Sequence, residues 1–396
     1  MEVETYGIMK RIVAITGYRS DYTKLKSVLE EINNHPNLEL KIVAFGAHTL
    51  DDCGDTFKQI ELDGFKIEEI LDTSVQGVGT AAMTKSMGMA LIELPSVLQR
   101  LNPDASLIVG DRYEIMSAAL ASSVNNIPVI HIQGGEISGT IDEVLRHSIT
   151  KLSHLHFPST KKSAQRIIRM GEDPDLVFNV GCPAIDYIFK QEYLSASQMN
   201  KAVKDYGHLK IDFEKDYAVV IQHAVTTEYK NSYLQMKTTL EALQSVGIKS
   251  IVIYPNPDAG ASSIVRAIRN HGSNYKEKSI ICEKAKNLPF NVYLNILKNC
   301  KLLVGNSSSG LREAHVFNIP VINIGTRQDG RERTSNIVDV PHDKQKIIEA
   351  VKNFDTGNSY IHSENIYGNG TAATQMVDII NSVDFNTLIG KKFYDQ

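Results

Sequence analysis

Residues 106–136 read SLIVGDRYEIMSAALASSVNNIPVIHIQGGE, and the architecture follows from them. Ser106–Val109 (SLIV) and Pro128–Ile132 (PVIHI) are short, near-continuous apolar runs, the pattern of strands covered on both faces of a parallel sheet. A longer helical pattern lies between them, so the unit is βαβ. The same rhythm extends in both directions. Upstream come Arg11–Thr16 and Leu40–Phe45, and downstream Leu155–Pro158 and Val177–Val180. Beyond a polar stretch from Lys190 to Asp216, which predicts a linker, follow Tyr217–Ile221, Ser250–Tyr254, Ser279–Cys282, Lys301–Val304 and Pro320–Ile324. The alternation predicts an α/β protein of two doubly wound domains, 1–190 and 191–375. Gly370–Ser382 reads as a helix, and 376–396 is a closing segment free to pack across either domain.

Composition narrows the function. The chain has 396 residues, enough for two domains that each bury a core. With 42 Lys+Arg against 46 Asp+Glu its formal net charge is -4, which argues against nucleic acid as a partner. Cys53, Cys182, Cys282 and Cys300 show no CxxC spacing, so neither a disulfide framework nor a zinc knuckle is indicated, and a reducing, cytoplasmic setting is expected. The opening MEVETYGIMKRIVAITG lacks a signal h-region, and no run approaches a membrane span. There is no Trp to build an aromatic platform for sugars or bases.

In open α/β sheets the ligand lies outside the carboxyl ends of the strands, and the polar residues of this chain concentrate there. Gly17-Tyr18-Arg19-Ser20-Asp21 follows the first strand and Gly110-Asp111-Arg112 follows SLIV. In the second half come Gln222-His223, Asn256-Pro257-Asp258 and Gly305-Asn306-Ser307-Ser308-Ser309-Gly310. The last loop, GNSSSGLREA, reads either as an ordinary Ser cap or as a phosphate cradle of backbone N–H groups at a helix start. Arg327 after the next strand and Glu313 in the first helical turn favour diphosphate plus ribose. GYRSDY is not GxGxxG, and no GxxxxGK[ST], HExxH or GxSxG is present, so nicotinamide, P-loop, zincin and hydrolase-elbow chemistries lack support. His154 and His156 share a strand face without a third ligand, which favours core or surface histidines over a metal site.

His131–His147 (HIQGGEISGTIDEVLRH) holds the densest set of ionisable groups. Thr140 and Glu143 predict a capping box that places Asp142 in a first helical turn, either to offset the dipole or to keep a carboxylate aimed into a cleft. Asp111-Arg112 reads as a structural ion pair or as a functional one. Glu136 reads as a partner for donors in its glycine turn or as a reactive group, and His223 as a loop histidine or a site residue.

Taken together, GYRSDY, GAHTLDD (46–52), GDRYE, HIQGGEISGTIDEVLRHSITKLSH, GCPAID (181–186), QHAVTT, YPNPDAG, GNSSSGLREA and GTRQDGR run in order along nearly the whole chain. In this they resemble the hydrolysing UDP-N-acetylglucosamine 2-epimerases of sialic acid biosynthesis. The resemblance implies a glycosyltransferase-B-like fold of two Rossmann-like domains, the active site in the cleft, and the 376–396 helix and tail packing back on the first domain. It implies UDP-N-acetylglucosamine plus water going to N-acetylmannosamine plus UDP, without metal or other cofactor, in a homo-oligomer, dimer or tetramer.

Inverting C2 requires removal of a weakly acidic proton while UDP leaves C1, giving 2-acetamidoglucal, and then hydration with reprotonation on the other face. That chemistry needs acid/base groups at the sugar and cationic groups at the diphosphate. The resemblance assigns acid/base work to Asp111 and Asp142, the diphosphate to Arg19, Ser307, Ser308 and Arg327, the ribose to Glu313, and the uracil to the backbone at Leu288. Asp21, Arg112, Asn256 and Asp258 join the substrate group, and His223, matching a position that lines the sugar and phosphate region, stands with Glu136 and Gln133 among the catalytic candidates. One departure stands out: the family often has HIEGGE, whereas this chain has Gln133, which exchanges no proton near neutral pH. Either the family glutamate binds rather than reacts, or Glu136 or Asp142 supplies the chemistry. The change also permits a UDP-2,4-diacetamido-2,4,6-trideoxy sugar of legionaminic acid synthesis. A glycosyltransferase and a non-catalytic nucleotide-sugar sensor remain the readings from other classes.

Overall fold

A computed structural model describes residues 9–50, 54–75, 77, 79–202, 211–274, 282–285, 288–355 and 365–395. Residues 1–8, Cys53, the Asp51-Asp52 end of GAHTLDD, 203–210 of the expected linker and 279–281 of the strand expected at Ser279–Cys282 lie outside the described residues.

Six strands form the first sheet: β1 Lys10–Thr16, β2 Leu38–Phe45, β3 Glu69–Leu71, β4 Ala105–Val109, β5 Val129–Ile132 and β6 Leu155–Phe157. Six more form the second: β7 Tyr217–Ile221, β8 Lys249–Ile253, β9 Cys282–Ala285, β10 Leu302–Gly305, β11 Val321–Ile324 and β12 Ile337–Val340. The orders are β3-β2-β1-β4-β5-β6 and, from the other edge, β9-β8-β7-β10-β11-β12, so both sheets share one winding. Every ladder is parallel. Each order reverses direction between its first and fourth strands, β1/β4 in one sheet and β7/β10 in the other. These are the switch points outside which such sheets bind ligands.

Burial on both faces follows from strand alternation. On β1, Ile12 and Ala14 join a core with Leu25 and Leu29, while Val13 and Ile15 face the opposite one with Leu94 and Ile115. On β7, Tyr217, Val219 and Ile221 take one side of the second sheet and Ala218 and Val220 the other. The helix Ala372–Ser382 contributes Met376 and Ile380 to the core of the first sheet. Both of its ends are tied to that domain: Asp186 Oδ2 accepts from Ala373 N at 2.6 Å, and Lys10 Nζ donates to the carbonyls of Asn381 and, at 2.8 Å, Val383.

Two expectations need correction, and two strands are additions to them. Val177–Val180 is not a sheet strand: it makes a single bridge from Val177 to His156, because the turn Pro174–Leu176 precedes it and Phe178 and Val180 pack on the core. Edge strands β3 and β12 were not expected from the sequence. GNSSSG leads into a single tight turn, Ser308–Gly310, and a helix of only four residues, Glu313–Val316. Gly305 is obligatory at the start of this loop. Its φ is 133°, and an added Cβ would collide with the carbonyl oxygen of Ile221, where β7 and β10 end side by side.

Candidate active site

The loops after β1, β4, β7 and β10 open on one cleft of about 1190 Å³, its mouth included. Twelve of the residues singled out above line it: Arg19, Asp111, Arg112, Asp142, His223, Asn256, Asp258, Leu288, Ser307, Ser308, Glu313 and Arg327. They come from both halves of the chain.

Two carboxylates of the first domain lie there in contrasting settings. Asp111 follows β4 and is bound by the guanidiniums of Arg146 and, at 3.3 Å, Arg331. Burial opposes its ionisation, but Arg146, Arg331 and Lys24 outweigh it and hold the carboxyl well below the usual carboxylate range. Asp142 sits in the first turn of the helix Ile141–Leu152. Burial, then the charge of Asp111, push its pKa up, against the pull of Arg327, whose Nη2 is 3.8 Å from Asp142 Oδ2. Environments that push two carboxyls apart in this way separate a permanently charged group from one able to carry a proton.

Local chemistry sets these positions. Thr140 Oγ1 accepts from Asp142 N at 3.2 Å, as an N-cap does. The reciprocal arm of the expected capping box is different: Glu143 Oε2 accepts from Ser138 N at 2.8 Å, because the chain turns back there rather than at Thr140. Asp111 and Arg112 do not pair with each other. Arg112 donates Nε and Nη2 to Glu114 at 3.1 and 2.9 Å and reaches Asp258 of the second domain at 3.1 Å. Its guanidinium lies over the rings of Tyr18 and Tyr113, at 5.1 and 5.5 Å from their centroids.

Across the cleft, Asn306 joins the loops of the second domain. Its side chain accepts from His223 N at 2.7 Å and donates to His223 O at 2.9 Å, and its carbonyl accepts from Arg327 Nη1 at 3.1 Å and Gln328 Nε2 at 2.7 Å. His223 Nδ1 accepts from Asn256 N at 3.1 Å, which places the ring proton on Nε2. Burial, with Arg327, Arg112 and Arg19 nearby, holds its pKa far below 6.5, so it is a neutral N–H donor. Ser307 caps the turn by accepting from Ser309 N at 3.3 Å. Glu313 is 9% exposed and its Oε2 has no hydrogen-bond partner among the described residues, an acceptor suited to hydroxyl donors. Beside it, the rings of Phe290 and Tyr293 lie 6.2 Å apart at 22°.

Gln133, Glu136 and Asp21 lie behind this lining. Gln133 is 2% exposed with φ 65°, and its amide donates to Cys182 Sγ at 3.1 Å. Glu136 does not serve its glycine turn; its carboxylate meets the guanidiniums of Arg312 and, at 3.6 Å, Arg331. Burial raises its pKa, but these arginines prevail and bring it down to about 2. Asp21 is wholly buried, and burial, offset in part by Arg112 and Lys24, raises it to about 7. His154 and His156 are occupied otherwise: His154 Nδ1 accepts from Val129 N at 3.1 Å, and His156 pairs with Glu172 at 3.0 Å. Among the described residues no group of three His, Cys, Asp or Glu is placed to hold a metal, and no helix is long and apolar enough to cross a membrane. Sequence reading passed over Lys24, Arg146, Arg312 and Arg331. The DGR of GTRQDGR was the available signal for Arg331, but its partner Asp111 is 220 positions away.

Comparison with known proteins gives concordant results. A family model described as UDP-N-acetylglucosamine 2-epimerase matches residues 30–381. The chain is 32% identical to a Legionella pneumophila protein named UDP-N,N'-diacetylbacillosamine 2-epimerase (hydrolyzing), over 97% of this chain and 99% of that one. It is 31% identical to a Neisseria meningitidis UDP-N-acetylglucosamine 2-epimerase, over 98% and 99%. In fold it is similar to the crystal structure of Methanocaldococcus jannaschii UDP-GlcNAc 2-epimerase in complex with UDP-GlcNAc and UDP, with TM-score 0.77 and 20% identity over 94% of this chain and 100% of that one. The family match over most of the length and two relatives above 30% identity lead to one conclusion: this chain belongs to the UDP-N-acetylglucosamine 2-epimerase family.

Proposed function

We propose that this enzyme is a hydrolysing 2-epimerase that converts UDP-N-acetylglucosamine and water to N-acetylmannosamine and UDP, feeding sialic acid synthesis. The observation that carries the reading is the pair of unlike carboxylates, Asp111 and Asp142, facing a second-domain wall of Arg327, His223 and the Ser307–Ser308 loop. Asp142 takes the C2 proton, since its carboxyl lacks the double arginine clamp that fixes Asp111. As the C1–O bond breaks, its electrons go to the β-phosphate, where Arg327, Arg19, His223 Nε2–H and the Ser307–Ser308 loop meet the developing charge. The second C2–H bond forms on the other face as water adds at C1, so the returning hydrogen comes from solvent. Asp111 keeps Arg146 and Arg331 in place, Glu313 accepts from the ribose, and Leu288, Phe290 and Tyr293 receive the uracil. Cys182 and Cys300 are buried free thiols, which supports a reducing cytoplasm.

A second substrate is favoured by one observation each from sequence and comparison: Gln133 in place of the usual glutamate, and the 32% identity to the Legionella diacetylbacillosamine enzyme. Proton NMR in D₂O tests both UDP-sugars. Free N-acetylmannosamine deuterated at C2, with UDP, is the expected result. Turnover of the diacetamido sugar alone moves the substrate and keeps the mechanism. A product still linked to UDP, or UDP bound with no turnover of either sugar, refutes the hydrolysing reading.

A further inference from the structure

The helix Ile141–Leu152 carries Asp142 in its first turn and Arg146 one turn further on. Its opposite end is held by a residue from the far end of the chain. Lys391 Nζ donates to the carbonyl oxygens of Ser153, of Lys151 at 2.8 Å and of Thr150 at 3.4 Å. A helix leaves its last carbonyls without internal partners, and a cation there is favoured by the dipole. The same ammonium reaches Glu172 Oε2 at 2.7 Å. Glu172 is 2% exposed and also takes Lys151 at 2.6 Å and His156 at 3.0 Å, so a buried charge depends on this arrangement.

The residues after Lys391 hold it there. Tyr394 N donates to Gly171 O at 3.0 Å, and Phe393 covers Gly171 so closely that an added Cβ would collide with its ring. Lys151 Nζ lies 5.0 Å from the centroid of that ring. The same helix end touches the strand end that bears the other carboxylate. His131, the ladder partner of His156, has Nε2 2.8 Å from Gly110 O, the residue before Asp111, and Nδ1 3.4 Å from Thr150 Oγ1.

We propose that Lys391 is a positioning residue: the segment Lys391–Tyr394 clamps the C-terminal end of the helix Ile141–Leu152 and thereby keeps Asp142 and Arg146 in register with Asp111. A twelve-residue helix is about 18 Å long and moves as a rod, so freedom at one end displaces the other. Displacements of about 1 Å cost on the order of a hundredfold in rate. The proposal rests on the reading of Asp142 as the proton carrier.

The test is a steady-state and calorimetric comparison of Lys391→Met, Lys391→Arg, Phe393→Ala and Asp142→Asn, using whichever UDP-sugar turns over. Lys391→Met is expected to lower kcat by about ten- to a hundredfold, with KM and the UDP Kd nearly unchanged because the diphosphate groups lie outside the clamped helix, Ser307, Ser308 and Arg327 on the second domain and Arg19 on the helix after β1. Lys391→Arg should restore most of kcat. Phe393→Ala, which leaves the ammonium in place, should show a smaller drop and serves if Lys391→Met does not fold. Wild-type kcat in Lys391→Met, or in Phe393→Ala where Lys391→Met does not fold, overturns the clamp, as does a joint fall of kcat and UDP affinity without rescue by arginine. An Asp142→Asn enzyme with wild-type turnover overturns the acid/base reading and the clamp with it. An inactive Asp142→Asn beside a fully active Lys391→Met overturns the clamp alone.

Discussion

Replacing Asp142 by Asn separates two effects that the cleft geometry sends in opposite directions. The substitution keeps shape and removes both the titratable group and its charge. As proton carrier, Asp142 contributes what a positioned acid/base group supplies, about 10²–10⁴ in rate, so turnover should fall by that factor. Its charge also attracts Arg327, with N and O 3.8 Å apart. At an effective dielectric of about 20 that attraction is roughly 4 kcal/mol. Asp142 is 28% and Arg327 15% exposed, so solvent screening reduces the usable share to about 1 kcal/mol.

An arginine released from a competing carboxylate is free for the diphosphate. UDP should therefore bind Asp142→Asn about fivefold more tightly, the equivalent of about 1 kcal/mol. Calorimetric titration with UDP measures that gain, and NMR of UDP release in D₂O measures turnover. A variant that keeps more than about a tenth of wild-type turnover would remove Asp142 from proton transfer. Weaker UDP binding would refute the electrostatic argument and assign Asp142 to holding the second-domain wall in place.

Three further substitutions probe other parts of the site. Arg327→Ala should weaken UDP binding by about 1.5–3 kcal/mol, the worth of a charge-assisted bond, and unchanged affinity in the same titration would take it off the phosphate site. Gln133→Glu puts a carboxylate at a position 2% exposed beside Cys182, so the melting temperature should fall without a gain on UDP-N-acetylglucosamine. A rise in turnover would mean that Gln133 adapts the site to another sugar. Asp21→Asn tests burial: with a folded pKa of about 7 against 3.8, the folded state holds a proton that the unfolded chain releases. The stability from that proton is complete below about pH 4 and is lost as pH rises through 7, so urea midpoints should fall across that window in the wild type and flatten in the variant. An equal slope in both would refute the assignment.

The two sheets were legible because their inner strands are buried on both faces, and runs such as YAVVI and SLIV leave few other fates for β-branched residues. The edges were less so. Glu69–Leu71 and Ile337–Val340 pair on one side only and are partly exposed, so their residues carry no buried-strand pattern. Val177–Val180 has the composition of a strand, but its apolar side chains satisfy the core without a ladder. The candidate site divides along the same line. Residues that follow strands, from Arg19 to Ser308, were found because topology alone sends strand ends to the ligand. Arg146 was hidden in a helix pattern in which arginine is ordinary, and its burial to 1% comes from Asp111, which only the folded chain brings to it.

The ion pairs of Asp111, Glu136 and Asp142 across the cleft share one polarity. The first domain supplies carboxylates Asp111, Glu136 and Asp142, and the second supplies Arg331, Arg312 and Arg327 to meet them. Two pairs run the other way, Arg112 to Asp258 at 3.1 Å and, outside the cleft, Lys162 to Glu332 at 3.8 Å. Gly139 closes the contact: its N donates to Arg327 O at 3.3 Å, and an added Cβ would collide with the carbonyl oxygen of Thr326. A side chain there would push apart the loops that carry Asp142 and Arg327. The electrostatic setting of both carboxyls therefore belongs in part to the assembled pair of domains, since Asp111 owes some of its charge stabilisation to Arg331, and Asp142 is drawn by Arg327 as well as by Arg146 of its own helix. Separating the domains would take the second domain's arginine charge from each carboxyl and return water to it, so the pull that favours ionisation and the burial that opposes it would both weaken. The contrast between them is thus a property of the assembled cleft, in which Arg146 and Arg331 hold Asp111 charged while Asp142 is left with the weaker pull of Arg327.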